Sequence, residues 1–154
     1  GIGMKYKIVT LEPFTLLGKT RKFTIDADVN LIPSFWDEQI KEGLMKTLAG
    51  HASESGMYGA CHQEESSMEF SYSIAVKVDE TVEAQGLERI GVNHALWAVF
   101  ECKSVNHIGE TWDYIMKQFL VNTEYKRVET LDFEYYPEGR DDIFCELYIP
   151  IERK

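Results

Sequence analysis

Cysteine and histidine are sparse in this sequence, and neither forms a metal-binding or redox motif. The three cysteines, Cys61, Cys102 and Cys145, lie far apart, and none belongs to a Cys-x-x-Cys pair. This pattern predicts buried thiols in a reduced compartment rather than a disulfide framework or a zinc site. The four histidines are also scattered, and the sequence has no Gly-rich phosphate loop, no Gly-x-Ser-x-Gly and no His-Glu-x-x-His. We therefore predict no metal and no cofactor.

Basic residues and long apolar runs are also in short supply. The chain has 26 acidic against 16 basic residues, which gives a formal net charge of -10. An acidic surface repels phosphates but attracts cations, so nucleic acid is not expected as a direct partner. No apolar run approaches the ~20 residues of a membrane helix, and the N-terminus lacks the pattern of a signal peptide. These absences predict a cytoplasmic protein that does not bind membranes.

The residues that are present suit one folded domain. The chain has 154 residues, of which 44% are hydrophobic and 12% aromatic, enough to form a core and to line a pocket. We predict a single domain over residues 4–154, with a first half at about 4–79 and a second half at about 86–154. Residues 1–3 precede Met4 and are interpreted as a remnant added before the native start.

Alternating apolar residues predict four strands in each half of the chain. The clearest alternation runs from Met68 to Val78, where apolar side chains point one way and polar ones the other, as in a half-buried antiparallel strand. The eight predicted strands cover Tyr6 to Leu11, Leu16 to Ile25, Tyr58 to His62, Met68 to Val78, Glu88 to Val92, Leu96 to Lys103, Leu131 to Tyr136 and Phe144 to Ile151.

Each half also contains one amphipathic helix, and the two helices share a motif. The first is predicted from a cap at Asn30 to Gly50, and the second begins at a cap at Asn106. Trp36 and Trp112 each open a Trp-Asp-x-x-x-Lys pattern at equivalent places. The sequence thus predicts an α+β fold of duplicated β-β-α-β-β halves, related by a pseudo-twofold, with antiparallel sheets and a ligand crevice between the halves.

The last strand carries one carboxylate among apolar neighbours. At period two, Phe144, Glu146 and Tyr148 share one face, and the aliphatic residues around them share the other. A desolvated carboxylate among aromatic rings attracts a flat organic cation, because the charge and the ring faces both favour it. The alternative is that this face meets water, as polar strand residues usually do. Spacing alone leaves both interpretations open.

Three stretches resemble a known family. They are Leu96 to Lys103, which leads into the second helix, Phe133 to Pro137 (FEYYP), and Cys145 to Ile151 (CELYIPI). These stretches are similar to the effector-binding domains of the GyrI-like family, and the resemblance extends from Lys5 to Ile151. That family includes ligand domains of AraC-type and MerR-type multidrug transcription regulators, gyrase-inhibitor-like proteins and integron cassette effector-binding proteins. No DNA-reading segment precedes Lys5 or follows Ile151, so a stand-alone module is expected.

The resemblance implies a pocket for cationic, lipophilic ligands with Glu146 at its floor. It also implies pocket roles for Trp97, Tyr72 and Trp36, and it leaves Tyr58 possible. Each of these aromatic residues has a second interpretation as ordinary core. The predicted ligand-binding residues are therefore Glu146, Trp97, Tyr72, Trp36, Tyr148, Phe144 and Tyr58. By contrast, Glu134 and Asp132 are expected on a solvated sheet face.

Three functions fit these predictions. The first is a binding module for drug-like or dye-like cations, with a possible protein partner or homodimer. The second is a small-molecule hydrolase, with Glu146 as general base and Tyr72 or Tyr148 as the polarising group. The third is an inhibitor of a protein such as gyrase, in which the acidic surface of the present chain would imitate nucleic acid. The first is favoured, and no catalytic residue is assigned.

Overall fold

The computed structural model describes residues 4–26, 30–63 and 68–154, and the predicted remnant at 1–3 lies outside these ranges. The described residues form nine strands, four α-helices and one π-helical segment. The first half contains β1 (Tyr6–Thr10), β2 (Phe14–Thr24), α1 (Leu31–Lys41), α2 (Leu44–Ala49), β3 (Met57–Gln63) and β4 (Glu69–Val78). The second half contains β5 (Glu88–Val92), β6 (Leu96–Cys102), α3 (Val105–Tyr114), a π segment (Ile115–Phe119), α4 (Leu120–Asn122), β7 (Tyr125–Arg127), β8 (Asp132–Tyr136) and β9 (Cys145–Arg153).

Strands from both halves form one antiparallel sheet. Its order is β1-β6-β9-β8-β3-β4-β2-β5, and β7 pairs with β9 outside this path. If the halves are exchanged, so that β1, β2, β3 and β4 take the places of β5, β6, β8 and β9, the same order is read in reverse. A twofold relation between the halves requires this strand order. The antiparallel sheet with its helices also agrees with the predicted α+β class. The superposition of the two main helices stays a prediction.

The predicted first helix is two helices. α1 ends at Lys41, and α2 begins at Leu44 after Gly43, whose φ of 90° lies in the left-handed region that glycine adopts without strain. The apolar periodicity continues through this break, which is why the sequence predicted one helix. The second helix also differs, since it begins at Val105 rather than after Asn106 and includes the π segment. The short strand β7 was not predicted.

The two faces of the sheet have different neighbours. On the helix face, Phe35 of α1 and Leu44 and Leu48 of α2 pack against Tyr72 and Ile74 of β4. In the second half, Ile115 and Phe119 of the π segment pack on the aliphatic side of β6 and β9. We call the opposite side the aromatic face, because it is rich in rings from β2, β3, β6, β8 and β9.

The sheet curves strongly and so encloses its own aromatic face. Phe14 of β2 lies 6.0 Å from Phe133 of β8 between ring centroids, although β3 and β4 separate these strands. In a flat sheet three strand spacings would place them about 14 Å apart. The sheet therefore folds over its own rings, and Trp97 is fully buried there. Within the described residues, no helix is long and apolar enough to cross a membrane.

Candidate functional site

Glu134 of β8 is a carboxylate enclosed by aromatic groups. The hydroxyl of Tyr72 donates to Glu134 Oε1 at 2.9 Å, and the hydroxyl of Tyr136 donates to the same oxygen at 2.8 Å. The indole N–H of Trp36 donates in turn to the Tyr72 hydroxyl oxygen at 2.9 Å. The ring centroids of Trp36 and Tyr136 are 5.3 Å apart in an edge-to-face arrangement. We call Glu134, Tyr72, Tyr136 and Trp36 the Glu134 cluster.

The sheet register brings the cluster together on the helix face. Glu134 pairs with Gly59 of β3, and Gly59 pairs with Ile74 of β4. Tyr72 lies two residues before Ile74 and therefore points to the same face of the sheet. The side chains of Glu134 and Tyr72 thus meet over Gly59, which has no side chain of its own. A Cβ on Gly59 would lie 2.8 Å from Glu134 Oε1 and would overlap the Tyr72 hydroxyl. Glycine is therefore the residue that leaves room for this contact.

Burial sets the protonation behaviour of the cluster. It raises the pKa of Glu134, while the hydroxyls of Tyr136 and Tyr72 act in the opposite direction by hydrogen bonding to the carboxylate. Burial, reinforced by the nearby Glu134 charge, also raises the pKa of Tyr72 and of Tyr136. Both tyrosines thus remain protonated donors at neutral pH, and Glu134 is a carboxylate that accepts protons more readily than an exposed one.

A cavity of about 340 Å³ lies beside the cluster, between α2 and the ends of β3, β4 and β8. Tyr136 belongs to both, since its hydroxyl contacts Glu134 and its side chain lines the cavity. The cavity is lined by Met45, Ala49, Glu54, Ser55, Gly56, Met57, Val76, Tyr136 and Glu138. Its size suits a small organic ligand. A larger depression of about 410 Å³ lies over the connector between the halves, on residues Glu83 to Arg89, away from the cluster.

Glu146 lies on the other side of the sheet. Its Cα pairs with those of Tyr135 and Glu101, and its side chain therefore points to the aromatic face. The Lys7 ammonium is 3.7 Å from Glu146 Oε2, and the Glu146 side chain is 12% exposed. Burial, with the nearby Glu146 charge, raises the pKa of Tyr148 to about 12. Glu146 is thus buried near Tyr148, but it already has a cationic neighbour in Lys7.

The seven predicted site residues are divided between the two faces. Trp97, Tyr148 and Tyr58 share the aromatic face with Glu146, where Trp97 and Tyr58 are buried among other rings. Tyr72 and Trp36 belong instead to the Glu134 cluster, so the prediction that they lie closest to Glu146 was wrong. Tyr72 and Trp36 were misplaced because the sequence does not show which face of one strand continues into which face of the next.

Phe144 does not share the face of Glu146 either. Its N–H donates to the Cys102 carbonyl, while Cys102 pairs in register with Cys145. Phe144 therefore precedes the paired part of β9, which begins at Cys145, and the strand alternation does not extend to its side chain. The Phe144 ring lies 5.5 Å from that of Tyr136, on the helix side, and is 41% exposed.

The sequence analysis placed Glu134 and Asp132 on a solvated face, and the structure corrects this. Asp132 is only 7% exposed and accepts a hydrogen bond from Arg127 at 2.7 Å. Burial raises the pKa of Asp132 to about 6, although Arg127 acts in the opposite direction. The prediction was wrong because two acids spaced two residues apart in a strand normally indicate a solvent-exposed face. Glu134 is identified as a site residue by its pairing with Gly59, which the sequence alone does not show.

Several solved structures have the same fold as this chain. The structure of SAV2435 bound to tetraphenylphosphonium is 22% identical, with a TM-score of 0.81 over 97% of this chain and 94% of that one. The integron cassette protein VCH_CASS2 of Vibrio cholerae is 18% identical, with a TM-score of 0.67 over 96% and 95%. The EcmrR C-terminal domain is 12% identical, with a TM-score of 0.65 over 98% and 99%.

A family model gives the stronger result. Among curated proteins, none matches the sequence significantly. The family model described as Cass2, integron-associated effector binding protein, matches residues 7–151, which is nearly the whole chain. The chain therefore belongs to the Cass2 family of integron-associated effector-binding proteins.

Proposed function

We propose that this protein binds cationic, lipophilic or aromatic small molecules through the Glu134 cluster and the adjoining cavity. The observation that carries the proposal is the placement of Glu134 Oε1 between the hydroxyls of Tyr72 and Tyr136, beside a cavity with apolar walls. A partly desolvated carboxylate favours a cation, and aromatic faces favour both its charge and its apolar body. The net charge of -10 adds a long-range attraction for cations.

The comparisons support the ligand class. SAV2435 has this fold and is seen with tetraphenylphosphonium, a cation surrounded by four aromatic rings. In the present chain, Trp36 and Tyr136 would supply aromatic surface, and Met45 and Met57 would supply adaptable apolar walls.

Glu146 is the alternative carboxylate for the same function. It lies on the aromatic face with Tyr148, as the sequence analysis expected, but the Lys7 ammonium at 3.7 Å already balances its charge. A ligand cation would have to displace Lys7, whereas within the described part of the chain the groups that hold Glu134 are the neutral hydroxyls of Tyr72 and Tyr136. This difference favours Glu134 as the residue that meets the ligand.

We expect tetraphenylphosphonium to raise the melting temperature of the protein and tetraphenylborate to leave it unchanged. The two ions have nearly the same shape and opposite charge, so the comparison isolates the effect of charge. A ligand at 100 times its dissociation constant adds about 2.7 kcal/mol to the free energy of unfolding. A thermal-shift series at fixed salt measures this. Equal stabilisation by both ions would mean that shape alone is recognised, and no stabilisation by the cation would refute the proposal.

The affinity for the cation should also fall at low pH. Because burial raises the pKa of Glu134, lowering the pH through that value protonates the free protein, and the neutral acid no longer attracts a cation. Below this pKa the affinity should drop by up to about tenfold per pH unit, and binding should release a proton. Isothermal titration in buffers of different ionisation enthalpy measures both quantities.

Two variants control for other groups that titrate. Glu134→Gln should abolish the pH dependence, since it has no proton to release. Asp132→Asn should retain it, although burial raises the pKa of Asp132 to about 6. A pH dependence that disappears in Asp132→Asn and persists in Glu134→Gln would contradict the assignment. The stability of the free protein changes with pH in the opposite direction to the affinity. The contribution of Glu134 to the free energy of unfolding is present at low pH and is lost as the pH rises through its raised pKa.

A further inference from the structure

Cys102 and Cys145 form a pair of buried thiols that the proposed function does not use. Cys102 is the last residue of β6 and Cys145 is the first residue of β9, and the two are partners in the register of these antiparallel strands. Directly opposed residues in an antiparallel pair have Cα atoms about 4.5 to 5.5 Å apart. A disulfide requires a Cα separation of about 4.4 to 6.8 Å, so the backbone already meets this condition.

The side chains of the pair also lie together. Both belong to the same apolar cluster on the helix face, and both are 0% exposed. Hydrogen bonding with the Cys145 thiol lowers the pKa of Cys102, and hydrogen bonding with Cys102 raises the pKa of Cys145. Effects of this kind act over a few ångströms, so the two sulfur atoms are neighbours. The Cys102 thiol also donates to Thr111 Oγ1 of α3 at 3.6 Å.

The third cysteine of the chain is placed differently. Cys61 of β3 pairs with Tyr72 and Asp132, and β8 separates its strand from β9. Two strand spacings are about 10 Å, which exceeds the reach of a disulfide. Of the three cysteines, all of which lie in the described ranges, Cys102 and Cys145 are the two that this fold can join.

Tyr136 connects this pair to the Glu134 cluster. The register of β8 with β9 pairs Tyr135 with Glu146, and its next step places Tyr136 opposite the Cys145 position. Tyr136 packs against the apolar cluster that contains both thiols, and its hydroxyl donates to Glu134 at 2.8 Å. A disulfide brings its sulfur atoms to about 2.05 Å, well inside their nonbonded contact distance, and so draws the Cys145 side chain towards β6. The Tyr136 ring, on the β8 side, then loses part of the packing that fixes the position of its hydroxyl.

We infer that Cys102 and Cys145 form a reversible disulfide and that this modification lowers the affinity of the Glu134 cluster for cations. Both S–H bonds break, one S–S bond forms, and the two protons and two electrons pass to a small oxidant, an azo compound or a low-molecular-weight disulfide. Because the pair lies at the ends of β6 and β9, local opening of these ends admits such an oxidant without unfolding of the sheet. The effect on affinity rests on the function proposed above.

The test treats the whole chain with diamide, an azo compound that takes up two protons and two electrons from two thiols. Intact mass and peptide mapping identify the cysteines that become joined, and dithiothreitol reverses the reaction. The same treatment is applied to Cys61→Ser, which keeps the pair, and to Cys145→Ala, which removes one partner but keeps a small apolar side chain. Tetraphenylphosphonium binding is measured by isothermal titration before and after oxidation.

We expect the native protein and Cys61→Ser to lose two hydrogen atoms per chain and to yield peptides linked through Cys102 and Cys145. Cys145→Ala should form no disulfide within one chain. Oxidation should weaken tetraphenylphosphonium binding to the native protein by about fivefold, and dithiothreitol should restore it. Diamide should leave the affinity of Cys145→Ala unchanged, which separates the effect of the disulfide from that of other oxidation.

A native protein that is not oxidised, or that forms disulfides only through Cys61 or between chains, would overturn the inference. Peptide mapping of the native protein gives this answer even if Cys145→Ala does not fold. A disulfide between Cys102 and Cys145 that leaves the affinity unchanged would overturn the link to the Glu134 cluster, and the proposed function would stand. If tetraphenylphosphonium does not bind the reduced protein, the proposed function fails, and the mapping still decides whether the disulfide forms.

Discussion

Replacement of Glu134 by glutamine is expected to weaken tetraphenylphosphonium binding by about 2 kcal/mol, roughly thirtyfold in affinity. Glutamine keeps the volume of the side chain and an oxygen that can accept from Tyr72 and Tyr136, so the Glu134 cluster loses its charge but not its shape. The loss is larger than for a surface ion pair because the carboxylate is partly desolvated. Titration of tryptophan fluorescence measures it, since Trp36 belongs to the cluster.

The matched control is Glu146→Gln, which removes the same charge from the aromatic face. This change should leave the affinity for the cation nearly unaltered, because Glu146 is paired with Lys7 and points away from the cavity. If Glu146→Gln weakens binding more than Glu134→Gln does, the ligand lies on the aromatic face, as the sequence analysis expected. If a neutral ligand of similar size loses as much affinity as the cation, Glu134 acts through shape.

Substitution of Gly59 by alanine is expected to damage both stability and binding. The added Cβ would overlap the Tyr72 hydroxyl and would lie 2.8 Å from Glu134 Oε1, within a cluster that has little room to move. Tyr72 is 2% exposed and is also held by Trp36, so relief of the overlap requires the tyrosine to give up a hydrogen bond. Overpacking of this kind costs about 1 to 3 kcal/mol of unfolding free energy. Urea denaturation, with and without tetraphenylphosphonium, measures both effects.

Gly109→Ala provides the control for this experiment. Gly109 lies in α3, and apart from its chain neighbours and the helix's own backbone no atom of the described residues lies within 4 Å of the position that its Cβ would take. Alanine should stabilise the helix there by up to about 1 kcal/mol and leave ligand binding unchanged. A Gly59→Ala protein with native stability and native affinity would show that the cluster can rearrange at little cost. In that case the proposed geometry of the site would have to be abandoned.

Alternation and helical periodicity located most of the strands and helices, because buried side chains recur every two residues in a strand and about every 3.6 residues in a helix. The strand Glu88–Val92 was predicted with its observed bounds, and the strand ending at Val78 was displaced by one residue at its start. The same signal missed the break at Gly43, because the apolar positions of α1 and α2 continue in phase. It also missed β7, whose three residues are too few to establish a period.

The predicted site depended on more than periodicity. Local sequence indicated aromatic residues around an acid, reduced cysteines and an attraction for cations, and the family resemblance added Tyr72 and Trp36 as pocket residues. The resemblance assigned both residues to Glu146, and local sequence could not correct this, because Glu134 and Glu146 both alternate with aromatic residues and alternation is the same for either face. Helices cover the face of Glu134, and Lys7 from a strand distant in sequence lies beside Glu146.

The sequence by itself determined the elements, the antiparallel α+β class, the acidic character and the aromatic composition of this protein, since each depends on local spacing or on a sum over the chain. Only the tertiary structure decided which acid meets Tyr72, because that follows from the register of β8 with β3 and of β3 with β4. The pairing places Gly59 beneath two side chains that are 62 residues apart in the chain. A contact of that separation is set by the packing of whole strands, and no local pattern of residues encodes it.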